Sequence, residues 1–252
     1  MVSNTKSNVG RATMYPQYVL TTFTPAEAEK ITTLNTVMQR DWRRRGFIPS
    51  GEGHARFDAF ALAEVWVMKM LSDRGVGPQL SKEVASWCAM GILWHALKDG
   101  EAYEGDHART FEWEPEGARP QPDPEALAVL ERFSKETGIA IPENVDTTWS
   151  AKGEWLAKQV FRLRGCPRVI PSPYFIWWAD GSHVFHDSLD EAFSSLSWDE
   201  KYAGPVIVLD LNALATQLLV RAGRALVHVE YPVDEDGNIV PPLQYGAVVP
   251  LS

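Results

Sequence analysis

The chain has 252 residues, 45% of them hydrophobic, enough to bury one or two sizeable cores, and no apolar run approaches the ~20 residues of a membrane-spanning helix. A net charge of −9, if evenly spread, would exclude most nucleic-acid partners, but the charge is segregated. Residues 1–98 hold 12 Lys/Arg against 8 Asp/Glu, a net of +4, whereas residues 99–252 hold 12 against 25, a net of −13.

Residues 1–14 are polar and lack the apolar core of a secretory signal. Tyr15 to Thr22 is aromatic and β-branched, and predicts a lead-in strand or extended arm. Thr24 can then cap a helix with Pro25 in its first position and Glu27 completing a capping box. After the brief turn Thr32-Thr33-Leu34, Asn35 can cap a second helix with Leu34, Met38 and Trp42 at helical spacing. Its other faces carry Thr36, Gln39, Arg40, Arg43, Arg44 and Arg45, and Gly46 stops it. Two helices joined by a tight turn, the second loaded with Arg, Gln and Asn, are the parts of a helix-turn-helix reader.

Phe47-Ile48-Pro49 reads as an extended exit, Ser50 to Gly53 as a turn and His54 to Phe57 as a returning strand, a small wing presenting Arg56. Ala59 to Asp73 is apolar nearly all round and predicts a mostly buried helix. Asp73 to Pro78 breaks it. Ser81 to Lys98 is amphipathic, with Val84, Trp87, Cys88, Gly91, Ile92 and His95 on one face, and Gly91 there would admit a close neighbour.

Over about residues 20 to 97 this order resembles the winged helix-turn-helix of MerR-type transcription regulators. The matches are Arg40, Trp42, Gly46-Phe47-Ile48, Arg56 and the later break Arg74-Gly75-Val76. Departures are Asp41 in place of the first aromatic of a pair, Gln39 where an apolar residue is common, a short wing, and no long dimerisation helix at the usual place. The resemblance implies a double-stranded DNA partner, Arg40 and Arg56 as phosphate contacts and Trp42 as a core aromatic. Helix geometry adds Asn35, Thr36 and Gln39 as base-edge candidates, with Arg43 and Arg44 as further backbone contacts. One short reading head contacts few base pairs, so a homodimer on paired half-sites is expected.

Asp99 to Asp123 carries eight acids and three prolines and predicts a linker. A helix is expected from Asp123-Pro124 to about Thr137, and another from Gly153 to Arg164. Arg168 to Pro171 and Tyr174 to Trp178 read as strands, with Asp180-Gly181 turning the latter into a return through His183-Val-Phe. A short helix from Asp187, a buried-looking strand Pro205 to Asp210, a helix Asn212 to Ala222 and a strand Ala225 to Tyr231 follow. The expected class is α+β: a winged helix-turn-helix over 15–98, a linker over 99–123, and an acidic mixed α/β domain over 124–252 for assembly, partner or effector contact.

His183, His186, Asp187 and His228 invite a metal site, but a spacing of three puts two strand side chains on opposite faces and no further ligand is evident. Asp210 stands where α/β enzymes place acids, yet capping the next helix accounts for it. Pro173 to Trp178 reads as a strand buried on both faces rather than a ligand pocket. With no phosphate loop, nucleophile elbow or Cys/His pair, neither catalysis nor a cofactor or metal is expected. Cys88 and Cys166, far apart in apolar or helical contexts, suggest reduced thiols and a cytoplasmic setting. Two rival readings are a phage-type DNA packaging or recombination-directionality factor, and a protein-interaction module that ignores DNA.

Overall fold

A computed structural model of the protein describes residues 16–49, 56–105, 132, 134–135, 148–166, 169–178, 180–196, 204–233 and 236. The helices are α1 (Pro25–Thr32), α2 (Thr36–Arg44), α3 (Ala59–Ser72), α4 (Pro78–Ala96), α5 (Thr148–Leu163), α6 (Leu189–Leu196) and α7 (Leu211–Ala222). The strands are β1 (Gln17–Leu20), β2 (Tyr103–Glu104), β3 (Tyr174–Trp178), β4 (His183–His186), β5 (Val206–Asp210) and β6 (Val227–Glu230), giving a mixed α+β fold.

Local chemistry sets the first two helices. The hydroxyl of Thr24 accepts from the N–H of Glu27 at 3.3 Å, and the Glu27 carboxylate accepts from the N–H of Thr24 at 2.7 Å. That reciprocal pair satisfies two of the donors a helix start leaves open. Thr33 ends α1 in the left-handed region, and Asn35 then starts α2 by accepting from the Met38 N–H at 2.8 Å. Leu34 and Trp42 face inward and are buried.

The exit from α2 differs from the expected wing. Phe47 and Ile48 donate their N–H groups back to the carbonyl of Trp42, closing the helix end, and Pro49 has no N–H to offer. Phe57 therefore pairs with Phe23, through hydrogen bonds of 2.7 and 2.9 Å, and not with 47–49. The predicted turn and most of the returning strand lie outside the described residues.

α3 is buried on nearly every side and packs against α1 and α4. Its start is capped by Asp58, which also pairs with Arg164 at 2.9 Å. α4 meets α3 on one side and α7 on another. At Gly91 a Cβ would lie 2.6 Å from the side chain of Leu211, so the close neighbour admitted there is α7. At Gly153 a Cβ would lie 2.2 Å from the carbonyl oxygen of Lys98, so α5 crosses the end of α4 with backbone almost on backbone. Trp87, assigned to the inner face of α4, is partly exposed.

Among the described residues the strands form two three-stranded sheets, in orders β1-β6-β2 and β4-β3-β5. In the first, β1 runs antiparallel to β6 with Gln17 opposite Glu230, and β2 runs parallel to β6. One buried cluster contains Leu34, Trp42 and Leu71 together with Phe161, Phe175, Leu211 and Val227. The division into separate domains at 15–98 and 124–252 is therefore corrected: the two stretches share a sheet and a core. The reason is geometric, since α4 is apolar on more than one face and β1 is an unpaired strand without β6. Charge changes sign along the sequence, but apolar packing does not follow it.

In the second sheet β3 is central and buried on both faces, one toward the main core and the other against Ala192 of α6. β5 is an edge strand, and Val206 and Val208 are partly exposed, contrary to its buried look in sequence. Residues 169–172 form no strand; Pro171 and Pro173 lack the N–H a ladder needs. The predicted linker already has structure at its start, a 3-10 turn Gly100–Ala102 leading into β2, while its remainder from 106 lies outside the described residues. Of the helix expected over 124–137 only Arg132, Ser134 and Lys135 are described, and they are helical.

Candidate nucleic-acid interface

At about 100° per residue, α2 puts Val37, Arg40 and Arg44 in one line, directly away from Met38 and Trp42. All three are exposed, as is Asn35 at the start of the helix. Asn35 uses its side-chain oxygen as the cap, and Thr36 is half-buried. The Thr36 N–H donates to the carboxylate of Glu29 at 3.1 Å. That carboxylate occupies the first turn of α2, where a phosphate would otherwise be favoured, so any grip on an anion must come from side chains.

Gln39 is corrected from base reader to structural joint. It is fully buried, and its amide nitrogen donates to the carbonyls of Pro25 at 2.9 Å and Leu34 at 2.8 Å. These bonds tie the start of α1 to the turn before α2, and burial keeps the rest of the side chain out of reach of a base. Arg43 is likewise spent on packing. Its guanidinium lies 4.9 Å from the Phe57 ring centre, and burial pulls its pKa down. The Gln39 side-chain oxygen and one Arg43 amino group, one turn apart, are both enclosed and without a partner among the described residues.

Arg44 and Arg45 share a single carboxylate. Asp41 pairs with Arg44, and at 2.9 Å with Arg45, which partly neutralises both. Arg40 has no ion-pair partner among the described residues and projects freely. Arg56 is exposed just before Phe57. It lies close enough to Glu27 to help hold that carboxyl below its usual range, after the hydrogen bonds from Thr24 and the charge of Arg224. The structure thus brings Asn35, Thr36, Arg40 and Arg44 onto or beside one outward face and removes Gln39 and Arg43 from it.

Other cations were not singled out from the sequence. Lys82, early in α4, donates to the Gly46 carbonyl at 2.8 Å and so sits at the far end of α2. Arg224 bonds the Thr22 carbonyl at 2.9 Å, pairs with Glu27 at 3.1 Å and stacks on Phe23. Arg221 bonds the Ile31 carbonyl at 3.0 Å and stacks on Trp66. These two clamp α1 from the other end of the chain, and no local pattern could have revealed them.

No protein-family model, curated protein or solved structure matches the chain. What it does must be argued from its own geometry.

The remaining candidates resolve into structure. Asp210 caps α7 by accepting from Ala213 at 2.8 Å. His186 accepts from the Ser188 N–H, and His183 and His186 occupy register positions three apart on β4. Among the described residues no three His, Cys, Asp or Glu side chains are placed to hold a metal, and no helix is long and apolar enough to cross a membrane. Cys88 and Cys166 are free thiols, and burial pushes that of Cys88 up.

Proposed function

We propose that the protein is a sequence-specific binder of double-stranded DNA, with α1 and α2 as a helix-turn-helix and α2 entering the major groove. The observation that carries this reading is the outward line of α2. A nine-residue helix held by the buried Leu34, Gln39 and Trp42 presents Arg40 and Arg44 to solvent with Asn35 and Thr36 at its leading end. The excess of +4 over residues 1–98 favours phosphate, while the acidic remainder is left for other contacts.

In this reading Arg40 and Arg56 bond phosphates and set register, and Asn35 and Thr36 meet base edges. Arg44 joins them by leaving Asp41 for a phosphate. The role is that of a transcription regulator of MerR-like type, acting as a dimer on paired half-sites, with the acidic part contacting a protein partner. The test is selection of bound duplexes from a random-sequence library by the full chain. An enriched motif with two related halves is expected; no enrichment over the starting pool overturns the reading.

A further inference from the structure

A groove of about 490 Å³ runs along the outer side of α7. One wall is the helix from 216 to 223, with Leu219 and Val220 at its centre; the other is the 3-10 turn and β2, carrying Asp99, Glu101 and Glu104. All three acids are exposed, and Val220 is 74% exposed. Asp99 accepts from the Glu101 N–H at 2.9 Å, while Glu104 lies 3.8 Å from the His228 imidazole, beyond hydrogen-bond length. Arg224 also lines the groove, but its guanidinium is engaged by Glu27 and the Thr22 carbonyl. Acids along one wall and an apolar strip along the other suit an amphipathic, cationic segment about two helical turns long.

The outward line of α2 has that chemistry. Val37, Arg40 and Arg44 stand at i, i+3 and i+7, the spacing by which a helix lies in a groove. They cover about 10 Å, the same run as 216 to 223 of α7. Leu80 is as exposed as Val37, but it stands in line with Glu83 and Trp87, which an acidic wall would not attract. Leu34 and Trp42 fix α2 in the core of its own chain, so its outer face meets a groove on another copy. We propose that α2 of one copy docks in the groove of a second, Val37 against Leu219 and Val220, and Arg40 and Arg44 against Glu101 and Glu104. The contact joins two different patches, unlike the pairing expected on half-sites, and it does not depend on the DNA reading. Arg40 and Arg44 are also the residues proposed to hold phosphate, so docking and duplex binding would exclude each other.

The test is sedimentation equilibrium of the full chain without DNA. One variant combines Arg40→Glu with Arg44→Glu, and the other Glu101→Arg with Glu104→Arg. All four side chains are exposed, so both should melt close to the unmodified chain, and Asp99 is left to cap its turn. The unmodified chain should self-associate at about 50 mM salt and dissociate towards about 1 M. Each swapped protein alone should associate about tenfold or more weakly, because like charges then meet. An equimolar mixture of the two should recover the association, since every α2 then finds a groove of opposite sign. Val220→Lys, which keeps all the acids, should show the same loss on its own. A chain that is monomeric at every concentration overturns the proposal. Swapped proteins that associate like the unmodified chain place the contact elsewhere and overturn it too, and so does a mixture that fails to recover. An oligo-arginine peptide that binds while the chain stays monomeric gives the groove to another basic partner, and likewise overturns it.

Discussion

Replacing Gln39 separates a structural joint from a DNA contact. In Gln39→Ala the carbonyls of Pro25 and Leu34 lose donors now at 2.9 and 2.8 Å. Leu34 is fully buried, so its carbonyl bears the cost of an unmade hydrogen bond, about 1–3 kcal/mol. Water can reach the half-buried Pro25 and recover part of the second loss, while the vacated volume adds about 1 kcal/mol. The sum is roughly 2–4 kcal/mol, which at roughly 2–4 °C per kcal/mol lowers the melting midpoint by roughly 4–16 °C. Gln39→Glu adds a signature of its own. An ionised carboxylate cannot donate to either carbonyl, whereas the protonated acid can donate to one. Burial among acceptors raises that carboxyl's folded pKa, so the deficit is greatest at neutral pH and shrinks as pH falls through the folded value. Thermal melts and urea titrations at two pH values provide the assay. An unchanged midpoint for Gln39→Ala, coupled to lost DNA binding, would refute the joint and return Gln39 to the reading face.

Gly153→Ala places a methyl 2.2 Å from the Lys98 carbonyl, so α5 must move off α4; the urea midpoint should drop by the equivalent of about 1–3 kcal/mol. Asp41→Asn releases Arg44 and Arg45, and should tighten DNA binding and steepen its salt dependence by about one unit; an unaltered salt plot would mean these arginines face away from the duplex. Tyr18, Tyr103 and Tyr231 are all pushed up by burial, Tyr231 to about 12. Their folded pKa values lie above the unfolded 10.0, so they favour folding fully below pH 10 and lose that contribution as pH rises through the folded values. An absorbance titration of single Tyr→Phe variants should show Tyr18, Tyr103 and Tyr231 silent near pH 10.5 to 11 and ionising together with unfolding; their ionisation there with the fold intact would contradict their burial.

The parts legible in the sequence are those fixed within a few residues. Thr24, Glu27, Asn35 and Asp210 cap the helices they were expected to cap, because the donor and acceptor involved lie within one turn. β3 and its hairpin return were legible from an unbroken apolar run followed by Asp180-Gly181. The pairing of β1 with β6 was not, because four residues can pair with any edge and the choice depends on packing some 200 residues away. Gln39 shows a different failure. It stands three residues before Trp42, which places it on the inner side, but its polarity suggested an outward role. The carbonyls of Pro25, at the start of α1, and of Leu34, in the turn before α2, gave a buried amide something to bond, and nothing in a hydrophobic pattern records that. Arg43 was misplaced for the same reason, since its aromatic partner Phe57 comes fourteen residues later.

The central claim is that the chain grips duplex DNA through the outward line of α2. Its most direct test is the dissociation constant of the full chain for a duplex across about 50 to 200 mM salt, for the unmodified protein and for Arg40→Ala. Arg40 is exposed and unpaired among the described residues, so its loss should leave the fold untouched. The predicted result is a straight line of log affinity against log salt, weaker throughout for Arg40→Ala and shallower by about one unit. Two lines that coincide, or no binding at the lowest salt, would contradict the claim.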